Sequence, residues 1–574
     1  MADETKKVLG QLTGEEFVSQ AYTLFDEFRN AYESEWSRLE SNQRLYLGKH
    51  WEDMSSQDAD LPKPMTPIIN STVENMKADL ADNYPQAIIQ PEAPEDQAVA
   101  DIVGALIRQN HDGSNYRKEY MRYTHDILVG GYGVQEVGYD ATANRGIGQA
   151  FIRHVDNHTI LFDPQVRDFQ LGRAVFKMQP QTIQWLESRH PDMVGKFATD
   201  SFSLEEDAEL TYDQTKSVLM IECWFKEWVE DGNGEGHWAV HMVQMAGRQL
   251  LADSRDEKPE GYFSLGEYPF IITILIPRPN SCLGYGIPDL FGTMQKYSDK
   301  LDQITLKNAA LSAHNKLLNT TSSGFDTADL MDWTKDVHEG AALNGVTWFP
   351  TPPLPQYIIS ESAAMRQTLK DESGANDFSR GNTASGVTAA SAIAALQEMS
   401  SKRSRMIAMS IWEDYKTLVR YEIEFEREFN VLPREVNLTI DGQQQVATFE
   451  SAIMERQSAL GNEVPIEFMI SIKVERENRF TTTAHNELIL QMVQMGIIQP
   501  QQALELMVFE GKEQLLNKTI QAQQQMGPSP EDQAMMQAQE QQAALDEEIA
   551  NLPQPEGGAN AVDISGSAPV TAVQ

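Results

Sequence analysis

The fold is decided by residues 388–430, whose sequence is TAASAIAALQEMSSKRSRMIAMSIWEDYKTLVRYEIEFEREFN. This run contains neither glycine nor proline, the two residues that most weaken a helix interior, and Gly386 and Pro433 punctuate its ends. A rise of 1.5 Å per residue gives a single helix of about 65 Å. That length approaches or exceeds the width of an ordinary domain. We therefore expect this helix to cross between bodies or to bridge a larger assembly.

The segment before the long helix is predicted to be a helical hairpin that carries an insertion. The periodicity predicts a first helix over residues 288–318, whose apolar stripe should lie on the rim of a soluble core. An acidic insertion with a short strand at 345–350 follows, then a helix at 360–373 and a small polar loop at 375–387. The stripe is Leu290, Met294, Tyr297, Leu301 and Ile304, and the opposite, solvent-facing side is Lys296, Asp299, Lys300, Asp302 and Lys307.

Composition limits the classes of partner. The chain has 574 residues, 41% of them hydrophobic, which is enough for real cores, and a formal net charge of −39. An acidic surface argues against static wrapping of DNA, which needs Lys and Arg against phosphates, but it permits DNA to slide past. The only cysteines are Cys223 and Cys282, so no disulfide framework is expected. No apolar run is long enough for a transmembrane helix, and residues 1–14 carry no apolar signal core.

The rest of the chain is predicted as α+β and mostly helical. A helix should begin near Thr13 and turn Glu35, among other acidic residues, toward water. Two hairpins are predicted, and the strands after the long helix are expected to return to the earlier sheet. The further predicted helices are 68–83, 96–112, 116–128, 484–496 and 500–510; the predicted strands are 134–139, 148–155, 218–229, 237–245, 270–276, 435–440 and 466–475.

No catalytic, cofactor or metal site is predicted. The chain has no G-x-x-x-x-G-K-[ST] phosphate loop and no G-x-S-x-G nucleophile elbow, and the glycines at 130–133 are interpreted as a helix-to-strand turn. The loop 231–236 lacks the carboxylate ladder of an EF-hand. His237 and His241 lie four residues apart in a strand, about 13 Å, too far to share a metal. Cys223 lies in an apolar strand and is expected to be a buried, inert thiol.

Several short motifs together resemble a known family. They are Asn42-Gln-Arg-Leu-Tyr-Leu-Gly-Lys-His-Trp51, Gly130-Gly-Tyr-Gly-Val134, Phe162-Asp163-Pro164, Gly284-Tyr-Gly-Ile-Pro288, and Arg380-Gly381 through Thr388-Ala-Ala-Ser-Ala392. Their order and spacing resemble a portal (head-to-tail connector) protein of a tailed bacteriophage, of the short-tailed type. The resemblance extends to about residue 520.

The resemblance implies a ring-forming fold, usually dodecameric, with the following parts. Residues 1–280 would form N-terminal helices and an α/β wing, 281–318 the first stem helix, 319–359 the clip, 360–387 the second stem helix and tunnel loop, 388–430 the long wing helix, 431–483 strands returning to the wing, 484–520 the helical crown, and 521–574 a Gln-rich, partly disordered tail.

The resemblance also implies the sites and partners. Tunnel-loop residues would approach the DNA, stem lysines would line the channel or stem surface, and clip residues would meet terminase and head–tail adaptor or tail proteins. The tunnel-loop residues are Asn376, Ser379, Arg380, Asn382 and Thr383. The stem lysines are Lys296, Lys300 and Lys307. The clip residues are Asp326, Asp329, Asp332, Asp336 and Trp348. The other partners are double-stranded DNA and the major capsid and scaffolding proteins, with no membrane. The protein would be assembled in the host cytoplasm and act at the capsid portal vertex of the virion. Two alternatives remain: another virion ring or adaptor protein, and a metal-dependent hydrolase.

Overall fold

The computed structural model divides the chain into two compact units, residues 1–478 and 479–574. The residues it describes are 9–52, 61–197, 217–230, 236–313, 316–332, 334–341, 343–348, 354–373, 402–440, 443–457, 463–474, 479–496, 498, 503, 506 and 507. Helices hold about half of these residues, more than the strands, so the predicted mixed character is confirmed, although helices do not make up most of the structure.

The helices follow the predicted order closely in the first half of the chain. They are α1 (Gly14–Tyr46), α2 (Ile68–Asp82), α3 (Gln97–Gly113), α4 (Tyr116–Gly130), α5 (Ala143–Gly146, a single turn), α6 (Ile183–Arg189), α7 (Ser254–Glu257), α8 (Ile287–Ala313), α9 (Thr327–Met331), α10 (Gln356–Ser373), α11 (Lys402–Phe429) and α12 (Arg479–Gln494).

The strands form six small antiparallel sheets among the described residues. They are β1 (Pro85–Pro91), β2 (Tyr132–Asp140), β3 (Gln149–Val155), β4 (Ile160–Phe162), β5 (Ala174–Thr182), β6 (Ser217–Glu230), β7 (Gly236–Ala246), β8 (Gln249–Asp253), β9 (Phe270–Ile274), β10 (Leu317–Asn319), β11 (Val346–Trp348), β12 (Arg434–Ile440), β13 (Gln443–Phe449), β14 (Glu455–Gln457), β15 (Glu463–Pro465) and β16 (Phe468–Val474). The largest sheet has the order β4-β5-β6-β7-β8 and the second β3-β2-β9; the pairs β1-β16, β10-β11, β12-β13 and β14-β15 complete the set.

Most of the buried apolar side chains of the first unit form one continuous hydrophobic core. The aromatic face of α1 packs on the five-stranded sheet, where the rings of Phe25 and Phe28 lie 5.6 and 5.4 Å from that of Phe176. The described part of the long helix, α11, crosses the three-stranded sheet and reaches the β1-β16 pair. The Phe429 ring at its end stacks on Tyr139 of β2. The helix ends one residue before the predicted end at 430, and its predicted start at 388 lies outside the described residues.

The structure corrects the prediction at three places around the insertion and the later strands. Helix α8 ends at Ala313 rather than at 318, because the next residues pair as β10 with β11. Helix α10 begins at Gln356, four residues before the predicted start, so less of the proline-rich exit is extended. Strands β12 and β16 do not rejoin the earlier sheets: β12 pairs with β13, and β16 with β1, a strand that was not predicted.

Candidate subunit interface and channel segments

Two glycine motifs, far apart in sequence, meet backbone to backbone at the start of α8. Gly131 ends α4 with a φ of +95°, and its carbonyl accepts a hydrogen bond from Leu275 N at 2.9 Å. A Cβ on Gly286 would lie 2.2 Å from the Val129 carbonyl oxygen, and one on Gly284 would lie 2.3 Å from that of Gly131. The predicted helix-to-strand turn is therefore confirmed. The close contact explains why these positions need glycine, without any phosphate.

A buried carboxylate holds the same junction from the side of α1. Glu35 was predicted to face water, but it is buried, because two arginines reach it from different parts of the chain. Arg38 pairs with it at 2.5 Å and Arg278 at 2.7 Å. Arg38 also donates to the Gly130 carbonyl at 2.7 Å and pairs with Asp289 in the first turn of α8. Helix α8 is thus tied by charge as well as by backbone contact to the preceding residues.

Helix α8 turns its apolar stripe outward, and the prediction that this stripe packs on a core is wrong for the single subunit. Leu290, Tyr297 and Ile304 are 50%, 61% and 40% exposed, and Leu311 continues the series at 41%. These four side chains are seven residues apart, so they lie along one side of the helix. We call them the apolar heptad face. Met294 and Leu301 lie beside it and are half-buried.

The face that α8 buries is polar, and these residues were missed by sequence reasoning. After its first turn, the fully buried positions are Gly292, Gln295, Ser298, Asp299 and Gln303. Their partners come mainly from residues 61–67, Leu-Pro-Lys-Pro-Met-Thr-Pro, which we call the strap. Gln295 Nε2 donates to the Thr66 carbonyl at 2.7 Å and Gln303 Nε2 to that of Pro62 at 3.0 Å. Asp299, predicted to face solvent, instead lies 2.5 Å from the ring of His50.

Helix α10 packs on one of the two remaining sides of α8, and the lysines lie on the other. Asp302 accepts hydrogen bonds from Ser362 at 2.7 Å and Arg366 at 3.1 Å, both on α10, so it links the two helices rather than facing solvent freely. At 3.6 residues per turn, Lys296, Lys300 and Lys307 fall between the buried polar face and the apolar heptad face. Lys296 lines a polar groove of about 400 Å³ against α1, and the Lys300 ammonium lies 5.9 Å from the Trp51 ring. Lys307 is exposed.

The described part of residues 319–359, the segment predicted to be the clip, has acidic turns and many exposed side chains. Asp326 caps α9 through the Ala328 N–H at 3.1 Å, and Asp332 accepts from Thr334 N at 3.1 Å. The hydrogen bond from Lys335 lowers the pKa of Asp329, as that from Thr334 lowers the pKa of Asp332. Asp336 is exposed. Three large apolar side chains of the clip lie open to solvent: Met331 (78%), Val337 (71%) and Trp348 (62%).

The predicted tunnel-loop residues Asn376, Ser379, Arg380, Asn382 and Thr383 lie outside the described residues. Within the described ranges, no group of three or more His, Cys, Asp or Glu side chains is placed to hold a metal ion. His241 lies in β7 and is buried against Phe225, while burial raises the pKa of the Cys223 thiol well above its usual value. None of the helices in the described part of the chain is both long enough and apolar enough to span a bilayer.

Part of the chain matches a known protein family. Residues 23–262 match the family model described as phage P22-like portal protein. No curated protein matches the chain significantly. The matched range runs from α1 through β7 to the loop before β9 and contains the motifs at 42–51, 130–134 and 162–164. Portal proteins are structural rather than enzymatic, and they form homo-oligomeric rings associated with the capsid and its DNA. The resemblance seen in the sequence is confirmed: the match over residues 23–262 supports a phage portal protein of the P22-like, short-tailed type.

Proposed function

We propose that this protein forms the ring-shaped channel at one vertex of the capsid, through which double-stranded DNA is packaged and ejected. The ring would also be the docking site for terminase and for head–tail adaptor or tail proteins. The observation that carries the proposal is the apolar heptad face of α8, exposed in the single subunit while the opposite polar face is buried.

The apolar heptad face supports assembly from copies of one chain. Four large side chains at seven-residue spacing extend over about 32 Å of helix. Apolar patches of this kind mark interaction sites, and heptad spacing suits a helical partner. Each subunit carries a net charge of −39, so like subunits repel one another and their association needs apolar contact. A neighbouring copy in a closed ring supplies that contact at every interface.

The parts of the proposed portal are assigned to segments of the chain in sequence order. Residues 1–280 form the wing with its N-terminal helices, α8 and α10 the stem, and β10, α9 and β11 the clip between them. Helix α11 lies across the wing. Residues 484–520 form the crown. The clip meets terminase and later adaptors through its exposed Trp348 and its acidic turns, Asp326 to Asp336.

The channel itself is assigned to the loop 375–387 and the lysine side of α8. A small loop whose only charges are Asp377 and Arg380 suits DNA that must slide, because strong phosphate contacts would slow it. Asn376, Ser379, Arg380, Asn382 and Thr383 approach the DNA backbone. Lys296, Lys300 and Lys307 share one side of α8, away from α10, where a ring can turn them toward the bore.

The experiment that tests ring assembly is a single charge placed on the apolar heptad face. Tyr297→Asp puts a carboxylate into the proposed interface, and we expect rings to be lost in analytical ultracentrifugation while circular dichroism stays unchanged. Gln184→Asp, an equally exposed site on α6, is the matched control and should assemble like the natural protein. Unimpaired rings from Tyr297→Asp would exclude this face from the interface.

A further inference from the structure

The spacing of two carbonyl groups of the strap matches the spacing of the two glutamines of α8 that donate to them. Pro62 and Thr66 are four residues apart, and a proline-rich chain rises about 3.1 Å per residue, which gives about 12 Å between their carbonyls. Gln303 and Gln295, which donate to these two carbonyls, are eight residues apart on α8, again about 12 Å. Pro62 pairs with the later glutamine and Thr66 with the earlier one, so the strap runs antiparallel to the helix.

The prolines determine which kind of hydrogen-bonding partner the strap needs. Pro62, Pro64 and Pro67 have no N–H, so the strap offers mainly carbonyl acceptors to a neighbour. The structure supplies side-chain donors for three alternate carbonyls: Gln303 for Pro62, Trp51 Nε1 for Pro64 at 2.8 Å, and Gln295 for Thr66. An apolar helix face would leave the part-buried carbonyls of Pro62 and Thr66 without these side-chain donors, which is unfavourable.

The centre of the contact is a buried pair of titratable side chains. Asp299 lies midway between the two glutamines and is 1% exposed; His50 is 3% exposed. His50 Nδ1 lies 2.5 Å from Asp299 Oδ2, and Nε2 lies 3.0 Å from the Leu45 carbonyl. Both ring nitrogens therefore face oxygen atoms, so the ring connects Asp299 of α8 to the last turn of α1. Gln295 Nε2 and the Thr66 N–H also approach the carboxylate, at 3.1 and 3.4 Å.

We propose that the strap and His50 form a register clamp that fixes the rotation of α8 about its own axis. The clamp holds Gln295, Asp299 and Gln303 inward, and the apolar heptad face, on the opposite side, is thereby presented to a neighbouring copy. These three side chains and His50 are positioning residues: they set which face of the stem helix is available. The role of the presented face rests on the proposed ring, whereas the clamp itself is a property of one subunit.

The test compares the accessibility of two adjacent positions on α8 in the unassembled full-length chain. Tyr297→Cys places a thiol on the exposed face and Ser298→Cys places one on the buried side, where the Ser298 hydroxyl has no partner among the described residues. The native Cys223 and Cys282 are buried and give a low background. Because thiol reactivity follows exposure, we expect maleimide to label position 297 at least about tenfold faster than position 298.

The helix-to-strap hydrogen bonds of the clamp are then removed with Gln295→Leu combined with Gln303→Leu, changes that roughly keep side-chain size but delete both donors. The proposal predicts that the tenfold ratio of labelling rates falls several-fold, since the rotation of α8 is then less tightly fixed. Gln367→Leu, on the exposed side of α10, is the matched control and should keep the full ratio. An unchanged ratio in the double variant, with native circular dichroism, would overturn the clamp.

A variant that simply unfolds is recognised by labelling of Cys223 and Cys282. In that case Gln303→Ala, which removes one donor about one turn from Asp299, replaces the double variant. A ratio that stays at the natural value refutes the clamp, and a reduced ratio supports it. Ring formation is scored separately. A natural protein that keeps the labelling ratio but never assembles would contradict the proposed function and leave the clamp standing.

Discussion

We predict that Asp414 of α11 makes the packing of this helix against β9 dependent on pH. Its carboxylate accepts a hydrogen bond from Thr273 of β9, which in turn accepts one from Tyr123 of α4. Burial raises the pKa of Asp414 from 3.8 to about 6; the hydrogen bond from Thr273 opposes this change, and neighbouring Glu413 adds to it. Because an acid with a raised pKa binds its proton more tightly in the folded chain, stability is gained below the folded pKa and lost as pH rises through about 6.

The size of this effect on the free energy of unfolding follows from the two pKa values of Asp414. A difference between 3.8 and about 6, at 1.36 kcal/mol per pKa unit, gives at most ~3 kcal/mol between acid and neutral pH. About 1.4 kcal/mol of this change falls between pH 7 and pH 5, on the alkaline side of the sequence pI of about 4.6. Asp414→Asn has a side chain of the same shape with no charge to desolvate, so it should lack this pH dependence.

The assay is urea unfolding followed by tryptophan fluorescence at several pH values from 5 to 7.5. The free energy of unfolding of Asp414→Asn should exceed that of the natural protein most at pH 7.5, and the excess should shrink by about 1.4 kcal/mol at pH 5. Glu413→Gln, an exposed neighbour, is the control and should show a much smaller pH-dependent difference. A constant difference between Asp414→Asn and the natural protein across this range would refute the assignment.

Three further predictions concern the junction, the wing and the loop. Gly286→Ala pushes a Cβ into the Val129 carbonyl and should cost ~3 kcal/mol or more, or prevent soluble expression, whereas Gly104→Ala in α3, where the new Cβ meets only Ile89 at 3.6 Å, should be neutral or stabilising in the same thermal melts. Arg173→Gln removes the ion pair to buried Asp163 and should lower the free energy of unfolding by ~3 kcal/mol at pH 7. Burial alone would raise the pKa of Asp163, but Arg173 and backbone N–H groups lower it overall, so the loss should shrink as pH falls into the acid range, and a pH-independent loss would speak against it. Deleting residues 376–385 should leave ring assembly intact but change the yield and retention of packaged DNA; unchanged packaging would contradict the tunnel-loop assignment.

Local patterns predicted the elements well because they depend on local chemistry. Helix α2 ends at Asp82, shortly before Pro85, and α11 ends before Pro433, as expected near proline. The hairpins β2-β3 and β6-β7 follow from alternation around glycine-rich segments. Strand β1 was missed because its partner β16 lies almost 400 residues later, and no local pattern reports such a pairing. Glu35 was misplaced for the same reason, since Arg278 reaches it across 243 residues.

The orientation of α8 could not be predicted from the periodicity of its apolar residues. The apolar stripe was identified correctly, but a stripe indicates only that some surface covers it, and within one subunit that surface is absent among the described residues. A signal for the true inner face was present in the sequence. Gln295, Asp299 and Gln303 recur every four residues, opposite a proline-rich segment whose carbonyls need donors. The lesson is physical: a proline-rich strap selects a polar helix face, and the apolar face is then left for another chain.

The most direct test of the channel is negative-stain electron microscopy of the purified protein, with native mass spectrometry of the same sample. The account predicts closed rings, dodecameric by resemblance to portal proteins, with an open centre wide enough for a DNA duplex. A chain that remains monomeric even when capsid and scaffolding proteins are supplied would contradict it.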